Sequence, residues 1–268
     1  EEAWPKAASP AEIRKATVAV LNDAQKQGRA AIASAMTDAP RNARPALRAY
    51  AWLTDCIVTT VLFTAMTKLH PNPNPTEGER IAVLAVGGYG RGEMSPYSDV
   101  DLLFLAPHKV NGWIESVVES MLYMFWDLHL KVGHSTRTIR DCIRLGKEDF
   151  TIRTAMLEIR FLSGNRALAT ELQERLRDEL FQNTAREFIE AKLEERAARH
   201  RKQGGQRYVV EPNIKEGKGG LRDLHTLFWI AKYVHGVSHP SDLVKAGVFT
   251  QDEYRQFDEA ETFLHATR

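Results

Sequence analysis

"AVGGYGRGEMSPYSDVDLLFL", residues 85–105, is the stretch whose reading decides the fold. It begins in an apolar run, "RIAVLAV" (80–86), and ends in a second one, "DVDLLFLA" (99–106). Both runs read as buried strands. The segment between them is too short for a long crossover helix. Side chains on a strand alternate faces, so Asp99 and Asp101 are expected to project together. Two carboxylates side by side in a half-buried site repel, and one is driven toward its protonated form. A divalent cation removes that conflict, and hard oxygen ligands suit Mg²⁺ or Mn²⁺. An isolated D-x-D reads more simply as a turn, with Asp101 answering Arg91. The four apolar residues after Asp101 favour an interior strand instead.

The glycines before the acids supply the other half of a site. Gly87, Gly88, Gly90 and Gly92 exceed what one tight turn needs. Glycine permits close backbone approach, and successive free N–H groups make an anion-binding concavity. Arg91 and Ser98 add side-chain donors suited to phosphate. Two rival motifs fail. A dinucleotide fingerprint needs G-x-G-x-x-G opening a long helix, whereas the third glycine here falls early, at Gly92, and a strand follows. A P-loop needs Ser or Thr after its Lys, which "GKGGL" (217–221) lacks. A triphosphate on backbone amides, with two carboxylates gripping metal against it, describes nucleotidyl transfer.

Outward from this stretch the chain is mostly helical. Ser9-Pro10-Ala11-Glu12 reads as a capping box opening a helix to about Met36. A second helix starts near Pro45, and "HPNPNPTEGE" (70–79) is a loop. After the second strand, residues 111–128 show helical spacing and "LHLKVGHSTRT" (128–138) alternates as a half-exposed strand does. From Ile139 onward the pattern reads as helical, interrupted at 204–223 by a short extended run and a second glycine-rich loop. The expected architecture is α+β. A helical lead-in (1–74) precedes a small α/β module (75–140), and a helical domain (141–268) follows.

Composition bounds the function. The 268 residues are 43% hydrophobic and 26% charged, which suits a globular chain with a real core. A net charge of +1 gives no support to a nucleic-acid or membrane partner. No stretch reads as a bilayer span, and the N-terminus lacks a signal-peptide core. With no initiator Met, a processed form or an excised piece is expected. The only cysteines, Cys56 and Cys142, fit no metal spacing and read as thiols in a reducing cytoplasm.

A metal site of this kind usually draws a third carboxylate from a neighbouring strand. Asp127 is the candidate, on a strand face with His129 and Lys131. Its alternative is a C-terminal helix residue bonded to an Arg. Glu115 and Glu119 are weaker choices, in mid-helix.

These residues resemble the polymerase-β-like nucleotidyltransferase superfamily, marked by a hydrophobic strand, Gly-Gly or Gly-Ser, and D-x-D on the next strand. Three ordered stretches, the opening one, "WDLHLKVGHSTRT" (126–138) and "EPNIKEGKGGLRDLHTLFWIAKY" (211–233), are together similar to the N-terminal part of the bacterial PII uridylyltransferase/uridylyl-removing (GlnD) family. The resemblance covers most of residues 80–265. It implies a small mixed sheet, metal-ligand roles for Asp99 and Asp101, and phosphate contact at Gly87 and Gly88. It also implies transfer of UMP from UTP to a tyrosine hydroxyl of the PII signal-transduction protein, releasing pyrophosphate, in nitrogen regulation. The second glycine loop resembles one in the glutamine-synthetase adenylyltransferases. There Lys215, Lys218 and Arg222 are placed to steady phosphates, Asn213 to read a base or ribose, and Asp223 to orient Arg222. The plainer alternative is a loop that only turns the chain into a helix. No histidine here is followed by Asp, so the family's uridylyl-removing and glutamine-sensing activities are expected to be absent from this piece. A related transferase with another nucleotide or acceptor, and a catalytically silent nucleotide sensor, stay open.

Overall fold

The computed structural model describes residues 9–202, 211 and 213–268. The extended run expected at 204–210 lies outside the described residues. Helix α1 (Pro10–Asp38) opens with the expected box: Ser9 accepts from the Glu12 N–H, and Glu12 accepts from the Ser9 N–H. Helix α2 (Arg44–Thr64) runs on through a π turn, Ala65–Leu69. Contrary to the sequence reading, the continuous helix Arg44–Leu69 is long and apolar enough, by length and composition, to cross a membrane. Its Leu47, Ile57, Val58, Val61 and Leu62 are buried in the core.

Strand β1 (Ala82–Ala85) leads through the short helix α3 (Gly87–Gly90) to β2 (Val100–Ala106). The two strands are antiparallel, with Ala82 opposite Leu105 and Ala85 opposite Leu102. Helix α4 (Gly112–Asp127) then carries the chain over the sheet to β3 (Val132–Thr138), parallel to β2. Helices α5 (Ile139–Glu148) and α6 (Phe150–Leu157) precede β4 (Arg160–Gly164), which pairs antiparallel with β1. The mixed sheet has the order β3-β2-β1-β4.

Strand β4 corrects the helical reading of residues beyond 139 and moves the edge of the sheet module past residue 140. Its five residues follow an amphipathic helix without a break in the apolar pattern, so periodicity alone merges them. Alternation along β2 serves two layers. Val100, Leu102 and Phe104 join the core with α2 and α4, while Leu103 and Leu105 join Ile139, Leu168 and Leu172. Full burial of such side chains contributes roughly 1.5–3 kcal/mol each.

Helix α7 (Arg166–Leu176), a π turn (Arg177–Phe181) and α8 (Ala185–Lys202) lead to α9 (Leu221–His235), the short α10 (Asp242–Lys245) and α11 (Gln251–Thr267). Helix α9 packs on α6, α8 and α11, and Phe188 stacks on Tyr233 with ring centroids 4.0 Å apart. Arg44 of α2 pairs with Asp258 and Glu261 of α11, which ties the lead-in to the last helix.

Candidate active site

The glycine turn, the aspartates and the second glycine loop line one cavity of about 460 Å³. Gly87 adopts a left-handed conformation (φ 58°) and starts α3 directly off the end of β1. The first amides of a helix have no acceptor within it, so those of Gly87 and Gly88 are available to a ligand.

Asp99 stands exposed one residue before β2, and Asp101 sits half-buried within the strand. Burial, and then the charge of Asp99, raise the Asp101 pKa above the ordinary carboxylate value, with Lys215 opposing them. The opening reading holds for Asp101, whereas Asp99 is not buried.

The pair fits a divalent cation. A Cβ at Gly87 would come 3.6 Å from Asp101 Oδ2, and one at Gly133 would come 2.5 Å from Asp101 Oδ1. Gly133 is the β3 residue in register with Asp101. Its missing side chain leaves the carboxylate room on the side where a neighbouring strand would otherwise crowd it. Sequence reasoning passed over Gly133, although a lone glycine inside a strand is itself a signal of close approach. Gly133→Ala is expected to weaken Mn²⁺ binding at the pair by about 10–100-fold. Paramagnetic titration of Mn²⁺ checks this, and unaltered affinity refutes it.

Asp127 is not part of this cavity. It ends α4, and its Oδ2 accepts from Arg14 Nη2 (2.6 Å) and Nε (3.0 Å). The alternation that suggested a strand comes from the chain leaving α4. Leu128 and Leu130 are buried on either side of His129, which takes φ 55°, and β3 begins only at Val132. The helix-end alternative was therefore the correct one. Strand β3 carries no acid at all. Glu115 and Glu119 lie in α4, facing away with Trp126 and Tyr123.

Arg91 lines the cavity, but its charge is already used. Its Nη1 donates to Glu158 Oε2 (2.7 Å) and its Nε to Glu93 Oε2 (3.3 Å). Burial works against this guanidinium, and the two acids more than offset it, so its pKa rises. Arg91 therefore anchors the turn instead of reaching out as a free phosphate donor. Ser98 Oγ accepts from the Ser95 N–H (3.1 Å), which closes the turn ahead of Asp99.

The second loop divides. Lys215 and Arg222 line the cavity opposite the acids; burial, then Arg222 and Arg268, depress the Lys215 pKa, and Glu216 and Asp99 oppose that. Arg222 donates to Glu216 Oε1 (3.1 Å) and lies over the Trp229 ring, 5.5 Å from its centroid. Lys218 is exposed and outside the cavity. Asn213 also lies outside; its Oδ1 accepts from the N–H groups of Lys215 (3.0 Å) and Glu216 (2.8 Å) and so shapes the loop. Asp223 does not orient Arg222. It accepts from Arg196, Arg199, His200 and the Gly219 N–H, locking the loop to α8.

The cavity also takes in Lys192, Glu195, Arg199, Trp229 and Arg268, which sequence reasoning did not single out. Charged residues dominate helix α8. Lys192 is nonetheless buried over the Phe188 and Trp229 rings and paired with Glu195. The result is an acidic wall, a basic wall and an amide edge facing one space, which suits a metal-bound polyphosphate.

Comparison with known proteins finds two family matches along the chain. The nucleotidyltransferase domain family matches residues 74–162, a span that reaches into β4. The GlnD PII-uridylyltransferase family matches residues 187–268, which carry the basic wall. The bifunctional uridylyltransferase/uridylyl-removing enzyme of Ruegeria pomeroyi is 62% identical over 267 residues, covering 100% of this chain and 29% of that protein. Those of Cereibacter sphaeroides and Caulobacter vibrioides are 60% and 49% identical, each over more than nine-tenths of this chain. The chain spans less than a third of the length of these relatives.

Proposed function

Since the chain belongs to the GlnD family of nucleotidyltransferases, corresponding to its N-terminal part, we propose that it transfers UMP from UTP to a tyrosine hydroxyl of the PII protein and releases pyrophosphate, in the cytoplasm. The observation that carries this reading is the shared cavity, with Asp99 and Asp101 on one side, Lys215 and Arg222 on the other, and the Gly87–Gly88 amides at its edge.

Mg²⁺ or Mn²⁺ held by Asp99 and Asp101 would neutralise the triphosphate and lower the pKa of the attacking hydroxyl. The chain's own groups do the positioning. The amides of Gly87 and Gly88 hold phosphate oxygens, and the paired Arg91 beneath them keeps the turn from moving. Lys215 and Arg222 offset charge on the departing pyrophosphate, with Glu216 and Trp229 fixing the guanidinium. Such fixed donors stabilise developing charge without reorganising at the moment of reaction.

Incubation with α-labelled UTP, Mg²⁺ and PII is expected to place label on a PII tyrosine, with one pyrophosphate released per label. ATP is expected to bind at least about tenfold more weakly by calorimetry, a difference of roughly 1.4 kcal/mol. Equal use of ATP would move the assignment to an adenylyltransferase. Tight UTP binding with no pyrophosphate release would mark a silent sensor.

A further inference from the structure

We propose that Glu93, His225 and His265 form a second metal site of the zinc class, distinct from the aspartate pair. One potential ligand atom from each lies within 4.8 Å of the others. His225 is 6% exposed and His265 9% exposed. Among the described residues, His225 Nε2 and both ring nitrogens of His265 have no hydrogen-bond partner. Buried polar atoms are nearly always satisfied, so two buried imidazoles with orphaned nitrogens, each offering one ligand atom beside a carboxylate, call for a ligand.

The donor chemistry selects the ion. Two imidazoles and one carboxylate match three-ligand zinc sites, which keep a fourth position for water or substrate. The aspartate pair offers only hard oxygens, which suit Mg²⁺. The cations nearby are largely matched: Arg91 by Glu158 and Glu93, and Arg44 by Asp258 and Glu261. Arg268 faces the same cavity. Glu93 gives Oε2 to Arg91, which leaves its other oxygen for a metal.

The three residues come from the loop after α3, from α9 and from α11. A zinc ion there would pin the helical wall of the cavity to the exit of the glycine turn.

The test is zinc titration of the chelator-stripped protein, with Co²⁺ as a spectroscopic probe. Wild type and an Asp99→Asn/Asp101→Asn variant are expected to bind one equivalent of Zn²⁺ and to show Co²⁺ d–d absorption. His225→Gln and His265→Gln are expected to lose at least about 100-fold in zinc affinity and to lose that absorption. Circular dichroism reports whether the histidine variants fold. If they do not, Glu93→Gln decides, since it retains shape and is expected to show the same loss. Failure of wild type to bind zinc, or equal zinc affinity in the folded ligand variants, overturns the assignment.

Discussion

Asp99→Asn is expected to lower uridylyl transfer by at least about 10³-fold, some 4 kcal/mol of transition-state stabilisation, while leaving the fold intact. Asp99 is exposed, precedes β2, and makes no ion pair among the described residues, so its charge serves no structural contact. Its removal also relieves Asp101, whose pKa is raised by burial and then by Asp99. The sign follows from linkage. The native Asp101 carboxyl keeps its proton at pH values where the unfolded one, near 3.9, has lost it. Ionisation therefore lowers stability as pH rises from the unfolded value through the folded one, and the whole penalty is present above it. Asp99→Asn shrinks that penalty. In metal-free buffer at neutral pH, its thermal midpoint is expected to equal or exceed that of wild type. A variant that keeps its transfer rate refutes the site, and one that melts far below wild type shows Asp99 to be structural.

The opening stretch was legible because its signals are local. Glycine content and strand alternation act within a few residues, and the structure has Gly87 and Gly88 at a turn and Asp101 on a strand, as they indicate. Asp127 was misread because a helix end followed by a left-handed residue imitates alternation, and only the Arg14 pairing 113 residues away separates the two. Asn213 and Lys218 share a loop with Lys215 and Arg222, yet loop hydrogen bonds alone decide which side chains face the cavity. Glu93, His225 and His265 carry no sequence spacing at all. They meet because α9 and α11 pack on each other and face the same cavity as the exit of the glycine turn.

Glu158→Gln is expected to destabilise the protein by about 3 kcal/mol, because it leaves the part-buried Arg91 guanidinium with only its longer ion pair, to Glu93. For a chain of this size that loss lowers the thermal midpoint by on the order of 10 °C. The Glu158 side chain is 1% exposed, so water cannot replace the lost carboxylate cheaply. The damage is also expected to reach function. Gly90, at the end of the same turn, packs so closely on the Glu158 carbonyl that a Cβ there would lie 1.8 Å from its oxygen. The acid thus grips the phosphate-binding turn through both its backbone and its side chain. A double variant distinguishes charge from packing. Replacing both partners with apolar residues, Arg91→Met with Glu158→Leu, removes the uncompensated charge and is expected to recover much of the stability lost by Glu158→Gln. Glu93, left unpaired in that variant, has a side chain 23% exposed and stays solvated. Transfer is expected to stay low in the double variant, because the turn has lost its anchor. If the double variant instead melts at or below the sum of the single losses, the pair is not an electrostatic clamp, and the rigidity of the glycine turn must come from its backbone packing, including Gly90 on the Glu158 carbonyl.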